Sequence, residues 1–79
     1  MTVRIPLVSV YPGESCRVVQ IQGGRGLIRR LYALGIREGK VIRKLTTQFM
    51  RGPVVIDVGG AQVAIGFGMA SKIIVEVDR

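Results

Sequence analysis

Few residues of this sequence could carry out chemistry. The 79 residues include no histidine and a single cysteine, Cys16, which is followed by Arg17. The lack of histidine excludes acid–base and nucleophilic schemes that depend on an imidazole. One neighbouring arginine would lower the pKa of a thiol only modestly. We therefore expect no catalytic residue, and we expect Cys16 to be a partly buried structural residue of a strand.

The carboxylates are equally sparse. They are scattered over separate predicted elements: Glu14, Glu38, Asp57, Glu76 and Asp78. No spacing typical of zinc or calcium ligands occurs, so the sequence predicts no metal site within one chain and no cofactor. Glu76 and Asp78 share one face of a predicted strand, where we expect a solvated edge. A metal site shared between two chains, through Cys16 or these acids, stays open.

The segment Gly23-Gly24-Arg25-Gly26 superficially resembles a phosphate-binding loop. It lacks the Lys-Ser/Thr pair of a P-loop, and no parallel β-α-β unit follows it. The segment therefore indicates a corner between a strand and a helix. Anion binding at the helix N-terminus, aided by Arg25, is the alternative.

The chain is basic, since 12 Lys and Arg residues against 5 Asp and Glu give a net charge of +7. This charge suits nucleic acid, an anionic lipid surface or an acidic protein partner. It also suits a small domain that needs only solubility. Residues 1–10 lack a signal-peptide pattern, and no apolar run reaches membrane-spanning length. We expect one cytoplasmic domain over residues 1–79 without an internal disulfide. The sequence leaves open whether this domain forms a homo-oligomer.

Alternating apolar residues and turn residues place the strands. Strands are predicted over residues 14–22, 40–47, 53–58, 61–65 and 72–77. In the first of them, Cys16, Val18 and Gln20 should share one face, with Val19 and Ile21 on the other. Turns are predicted at residues 11–13, 37–39, 48–52 and 59–60, and one helical turn at residues 66–71.

A helical period occurs once, between the first two predicted strands. Its apolar stripe comprises Leu27, Ile28, Leu31, Tyr32 and Leu34. Gly35 stands where a left-handed C-terminal cap belongs. On so short a chain, barrel closure would remove unprotected sheet edges. The predicted fold is all-β: a five- to six-stranded SH3-like barrel with one short α-helix between the first two strands. An OB-like barrel is the alternative.

Arginines occupy the opposite side of the predicted helix. Arg25 and Arg29 form a like-charge i, i+4 pair, and Arg25 also opposes the helix dipole. These small costs can simply be tolerated, or the surface can meet acidic groups of a partner. Nucleic acid is disfavoured, since barrels that bind single strands use aromatic platforms and only Phe49 beside Arg51 is an inviting exposed pair.

Several segments together resemble the FeoA family, the small accessory proteins of bacterial and archaeal ferrous-iron uptake. They are Pro12-Gly13, Gly23-Gly24, Arg30-Leu31-Tyr32-Ala33-Leu34-Gly35-Ile36, Gly39-Lys40-Val41-Ile42, Gly52-Pro53-Val54-Val55-Ile56, Val63-Ala64-Ile65-Gly66 and Ala70-Ser71-Lys72-Ile73-Ile74-Val75. The resemblance extends from about Leu7 to Val77. One departure is Glu38, where the family often has proline.

The resemblance implies a cytoplasmic, non-enzymatic adaptor with an SH3-like barrel. It implies a partner, the FeoB-type membrane permease with a cytosolic GTP-binding domain, and it supplies no metal ligands here. We expect docking through the helix and its corner, by Arg25, Leu27, Arg29, Arg30 and Arg37. Two alternatives stay open: a basic nucleic-acid-binding barrel, and a metal-sensing module like the SH3-like domain of iron-dependent repressors.

Overall fold

The computed structural model describes residues 1–46 and 50–79. Its strands form one six-stranded antiparallel sheet in the order β1-β6-β2-β3-β4-β5. The elements are β1 (Thr2–Pro6), a 3-10 turn (Leu7–Ser9), β2 (Ser15–Ile21), α1 (Arg25–Ala33), β3 (Val41–Lys44), β4 (Val54–Val58), β5 (Ala61–Ile65), α2 (Phe67–Ala70) and β6 (Ile73–Asp78). The prediction of a mainly β, SH3-like fold is confirmed, as is the helical turn that becomes α2.

The position of the helix needs one correction. Strand β1 was not predicted, so α1 lies between the second and third strands rather than the first two. The β1 sequence alternates only in part, and Pro6 at its end cannot donate a ladder hydrogen bond. The strand forms because it pairs along its whole length with β6, from Thr2 opposite Asp78 to Pro6 opposite Ile74.

The facing of β2 was predicted correctly only in its first half. Cys16 and Val18 are buried together, but Ile21 is buried with them rather than on the opposite face. The β2–β6 register shifts between Val18 and Gln20. Val19 is therefore an extra residue, a β-bulge, and a one-residue shift moves every later side chain to the other face.

Local turn chemistry confirms the predicted boundaries. At the end of α1, the Gly35 N–H donates to the Tyr32 carbonyl (3.0 Å) and the Ile36 N–H to the Leu31 carbonyl (2.8 Å). This is a Schellman cap, and Gly35 takes the positive φ of 84° that it requires. Positive φ at Gly13, Gly39, Gly59 and Gly60 agrees with the other predicted turns. Residues 47–49 lie outside the described residues. They include the last residue of the predicted strand 40–47 and the first two residues of the predicted loop 48–52, among them Phe49.

The core lies between the inner sheet face, α1 and α2. Its buried apolar residues are Leu7, Val10, Cys16, Val18, Ile21, Leu31, Ile36, Ile42, Val54, Ile56, Val58, Ile65, Ala70, Ile73, Val75 and Val77. From α1 only Leu31 is fully buried, while Leu27 and Ile28 pack partly against the core. The prediction for Tyr32 and Leu34 is wrong, since both are exposed. Leu31, which is adjacent to Tyr32, is 0% exposed, so the stripe of α1 that the core covers is narrower than the sequence predicted.

Candidate functional site

The exposed side of α1 and the turn after it form a basic strip. Arg25 is the first residue of α1, and Gly24 is its N-cap, with no side-chain cap hydrogen bond. Arg29 follows one turn later on the same side, and Arg30 lies beside it. All three are exposed. No acidic residue lies in the first turn, so the charge of Arg25 adds to the positive potential of the helix N-terminus, whereas Arg30 lies in the last turn, where the dipole favours a cation.

Tyr32 connects this strip to the turn at residues 37–39. It lies three residues after Arg29, so the two side chains are neighbours on the helix. The Arg37 guanidinium lies over its ring at 5.1 Å from the centroid. Its hydroxyl donates a 2.6 Å hydrogen bond to the Glu38 carboxylate. That bond lowers the pKa of Glu38 and raises the pKa of Tyr32. We call Arg25, Arg29, Arg30, Tyr32 and Arg37 the arginine surface.

Within the described part of the chain, no carboxylate forms an ion pair with the arginine surface. Over the described ranges 1–46 and 50–79, the ion pairs are those of the Met1 amino group with Asp78 (3.5 Å) and of Arg79 with Glu14 (2.8 Å). Glu38, the acid nearest in sequence, is engaged by the Tyr32 hydroxyl. The sequence-predicted arginines are therefore exposed together and unpaired. Tyr32, which the sequence placed in the core, joins them.

Leu27, the remaining sequence-predicted docking residue, has a different place. It is half-buried and packs against the core. A Cβ atom built on Gly23 would lie 2.5 Å from its Cδ2 atom. Because Gly23 has no side chain, the Leu27 side chain can pack directly against its backbone. The glycine-rich segment lies between β2 and α1, which confirms the predicted strand-to-helix corner. Leu27 fixes the angle of α1 and offers a partner only its outer edge.

Cys16 is buried in β2, as predicted. Burial, with a smaller contribution from the Glu14 carboxylate, raises the pKa of its thiol to about 11. The thiol therefore stays protonated near neutral pH, whereas nucleophilic attack and metal binding need the thiolate. The residues described contain no group of three or more Cys, Asp or Glu placed to hold a metal ion.

Glu76 and Asp78 do not form the sheet edge that was expected. Strand β6 lies between β1 and β2, so Glu76 is half-buried, and it stands opposite both Arg4 and Arg17 in the registers of the two neighbouring strands. An open depression of about 240 Å³ runs past these residues. Only Asp78, at the end of the strand, is exposed. The prediction of a solvated edge was wrong because the unpredicted strand β1 pairs with β6 and takes the edge position of the sheet.

Lys44 is the one buried charged residue in the described part of the chain, at 2% exposure. Its ammonium donates to the carbonyls of Val8 (3.0 Å) and Val10 (2.8 Å). Desolvation lowers its pKa. Lys44 follows Ile42 by two residues in β3, so the two side chains lie on the same buried face, but nothing in the sequence distinguishes this inward lysine from the outward ones. Its role is to hold the chain after the 3-10 turn against β3.

Three aromatic rings each carry an arginine. Arg79 lies over Tyr11 at 3.9 Å, Arg37 over Tyr32 at 5.1 Å, and Arg51 near Phe67 at 5.9 Å from the ring centroid. These ring faces are therefore already in contact with a guanidinium. Each described ring thus has an arginine near one face, while Tyr11 is 63% exposed and Tyr32 37%, so less ring surface is left for nucleic-acid bases to stack on.

Comparison with known proteins gives consistent matches. The FeoA domain family matches residues 5–77. A putative Fe(2+) transport protein A of Methanocaldococcus jannaschii is 39% identical over 71 residues, which cover 90% of this chain and 84% of that protein. The crystal structure of an iron uptake regulatory protein (FeoA) superposes with a TM-score of 0.82 at 36% identity, covering 92% of this chain and 95% of that one.

A similarity of fold extends to larger proteins. The IdeR protein of T. acidophilum matches with a TM-score of 0.84 at 23% identity, covering 96% of this chain but only 35% of that one. At this identity the match shows the fold alone. Among the described residues, no helix of this chain is long and apolar enough to cross a membrane.

Proposed function

This chain belongs to the FeoA domain family, and from that premise we propose that it is a non-enzymatic accessory protein of ferrous-iron transport. In this proposal it acts on the cytosolic side of the membrane, where it binds the cytosolic part of a FeoB-type GTP-binding permease and modulates uptake. Ferrous iron is then the cargo of the permease and has no resident site on this chain.

The unpaired arginines of the arginine surface carry the proposal. Arg25 at the helix N-terminus opposes the dipole, and Arg25 and Arg29 form a like-charge i, i+4 pair, so the folded protein gains little from leaving these cations unpaired. An acidic partner would relieve that repulsion and would be attracted over a distance of about 8–10 Å at physiological salt. Complementary charge of this kind accelerates encounter and fixes the orientation of docking.

Tyr32 gives the same surface a contact that does not depend on charge. Tyrosine and arginine are the residue types most enriched where interface energy concentrates. Tyr32 is 37% exposed and Leu34, two residues on, is 42% exposed. The Glu38 and Arg37 contacts hold the tyrosine ring in place before a partner arrives. Less side-chain entropy is then lost on binding.

The docking surface can be tested by charge reversal with a matched control. Arg29→Glu combined with Arg30→Glu changes the net charge by the same amount as Arg51→Glu combined with Lys72→Glu. The control residues are exposed and lie outside α1 and the turn that follows it. Binding of each variant to the purified cytosolic part of the permease would be measured by calorimetry, with circular dichroism as the check of folding.

We expect the α1 pair to lose binding and the control pair to retain it. Equal loss in both variants would show that only overall charge matters. Unchanged binding by the α1 pair would refute the assignment of the surface. If the unmodified protein fails to bind the permease at low salt, the proposed partner itself is wrong.

A further inference from the structure

The outer edge of β5 is an open sheet edge. The sheet ends at β5, and Gln62 and Ala64 in the middle of this strand are exposed. No described residue outside β5 forms a backbone hydrogen bond with either of them on this side. An unpaired strand edge is a template for another strand.

The hairpin geometry shows which backbone groups face this edge. Gly59 and Gly60 have φ of 59° and 92°, the two positive values of a type I′ loop. In such a two-residue hairpin the flanking residues, Val58 and Ala61, exchange both of their hydrogen bonds. Every second pair further along the ladder, Ile56 with Val63 and Val54 with Ile65, exchanges two backbone hydrogen bonds in the same way.

The outward groups of β5 follow from this alternation. The Leu45 N–H donates to the Val55 carbonyl at 2.9 Å. The backbone carbonyl of Val55 therefore points toward β3 and not toward β5. Val55 stands opposite Ala64 in the register. The N–H and C=O groups of Ala64, and those of Gln62 two residues earlier, therefore point away from β4 into open space.

The two edges of the sheet differ in how they are protected. Strand β1 has the charged Arg4 at its centre and Pro6 at its end, both of which discourage a further strand. Strand β5, with the sequence Ala-Gln-Val-Ala-Ile, has neither charge nor proline. None of the 12 Lys and Arg residues lies within residues 52–71, where Asp57 is the only charged residue.

We propose that β5 pairs antiparallel with β5 of a second copy of this chain, about a two-fold axis at Val63. In that register Gln62 stands opposite Ala64 of the second copy, and Ala64 opposite Gln62. Each pair exchanges two hydrogen bonds, so all four outward groups on each strand are satisfied. The two sheets become one continuous sheet, and the interface is isologous, as closed dimers require.

Charge decides in favour of a second copy as the occupant. Each chain has a net charge of +7, and contact through its basic surfaces would bring like charges together at a cost. The β5 edge is the sheet edge from which cations are missing. An acidic strand of another protein would find no cation there to recognise. The small Ala64 side chain and the uncharged Gln62 side chain place no bulky or charged group between two identical strands.

The interface is small, which sets the conditions of the test. Two five-residue strands bury far less than the roughly 1,200 Å² of a stable protein interface. Dimerisation is therefore expected only at high protein concentration, with a dissociation constant toward about 1 mM. This pairing does not depend on the proposed permease partner, because β5 contributes no residue to the arginine surface.

Amide hydrogen exchange measured by NMR tests the pairing on the unmodified protein. The amides of Gln62 and Ala64 should exchange quickly in dilute protein and about twofold more slowly at about 1 mM, where half of the chains are paired. The Val63 amide, which bonds to β4, is an internal control and should be protected at every concentration. Protection of Gln62 and Ala64 that does not change with concentration would overturn the proposal.

Two substitutions at Ala64 test the same edge through the molecular mass of the protein in solution. Ala64→Pro removes the outward N–H and leaves the ladder with β4 intact, since that N–H takes no part in it. Ala64→Ser keeps the N–H. At about 1 mM chain, sedimentation equilibrium should show for Ala64→Ser a weight-average mass about 1.5 times the 8.6 kDa monomer mass, and Ala64→Pro should associate at least about tenfold more weakly. Equal association of the two variants would place any dimer interface elsewhere. If Ala64→Pro fails to fold, the exchange measurement decides.

Discussion

Raising the pH from about 8 to about 11 should destabilise the folded protein through Cys16. The thiol is buried in β2 at 4% exposure, and burial raises its pKa from 9.0 to about 11. In the unfolded chain the thiol loses its proton near pH 9, whereas the folded chain keeps it until about pH 11. Between these values the folded state binds more protons, so the free energy of unfolding falls as the pH rises.

The size of the effect follows from the two pKa values. A difference of about two pH units, at about 1.4 kcal/mol per unit, limits the loss to about 2.7 kcal/mol. At about pH 11 half of the folded thiol has itself ionised, so about 2 kcal/mol of the loss is reached. At about pH 8 the loss is negligible, because the thiol is protonated in both states.

Urea denaturation of the unmodified protein and of Cys16→Ala at both pH values measures this loss. Lys44 and the other titratable groups are present in both proteins, and their pH dependence largely cancels in the comparison. The difference in unfolding free energy between the two proteins should shrink or reverse by about 2 kcal/mol from about pH 8 to about pH 11. The constant cost of removing the side chain cancels as well.

Parallel stability curves for the two proteins would refute the reasoning. They would show that the Cys16 thiol ionises equally in the folded and unfolded chains, and thiolate chemistry would have to be reconsidered. Alkylation by iodoacetamide supplies an independent check. The folded thiol should react far more slowly than the urea-unfolded thiol at about pH 9, where only the latter is substantially ionised.

Two further substitutions test how the fold is held. Gly35→Ala places a side chain at φ 84° and only 3.3 Å from the Val58 Cγ1 atom, whereas Gly39→Ala has a φ of 89° with open space around it. Both substitutions should cost about 1–2 kcal/mol of backbone strain. A thermal melt should show the larger loss of stability for Gly35→Ala, and equal losses would refute the contact with Val58. Lys44→Met removes the 2.8 Å donor to the Val10 carbonyl and should lower the unfolding free energy by about 1–3 kcal/mol in urea denaturation; an unchanged value would mean that relief of the buried ammonium's desolvation offsets the lost hydrogen bonds.

The comparison of sequence and structure separates local from long-range causes. The Schellman cap at Gly35, the corner at Gly23 and the hairpin at residues 59–60 were predictable because each depends on a few adjacent residues. The resemblance to the FeoA family, which rested on the sequence segments themselves and on no physical derivation, is confirmed. The arginines of α1 were predictable as an exposed set, because their side of the helix follows from the helical period alone.

The incorrect predictions all concern features that depend on contacts between residues distant in the sequence. Strand β1 exists only because β6 pairs with it, and the bulge at Val19 turns Ile21 inward only because β6 fixes the register. The exposure of Tyr32 beside the fully buried Leu31 depends on how wide a stripe of α1 the core covers, and no spacing of apolar residues specifies that width. The proposed docking surface was therefore incomplete before the structure gave Tyr32 its place.

The sequence by itself determined that this protein has almost no equipment for catalysis: no histidine, one cysteine and scattered carboxylates. It also determined the short helix with arginines along one side. Only the tertiary structure decided that the Cys16 thiol stays protonated, that Lys44 is a buried support, and that the β5 edge is open. The physical reason is that desolvation and strand pairing are set by residues distant in sequence, whereas helix periods and turns are set by neighbours.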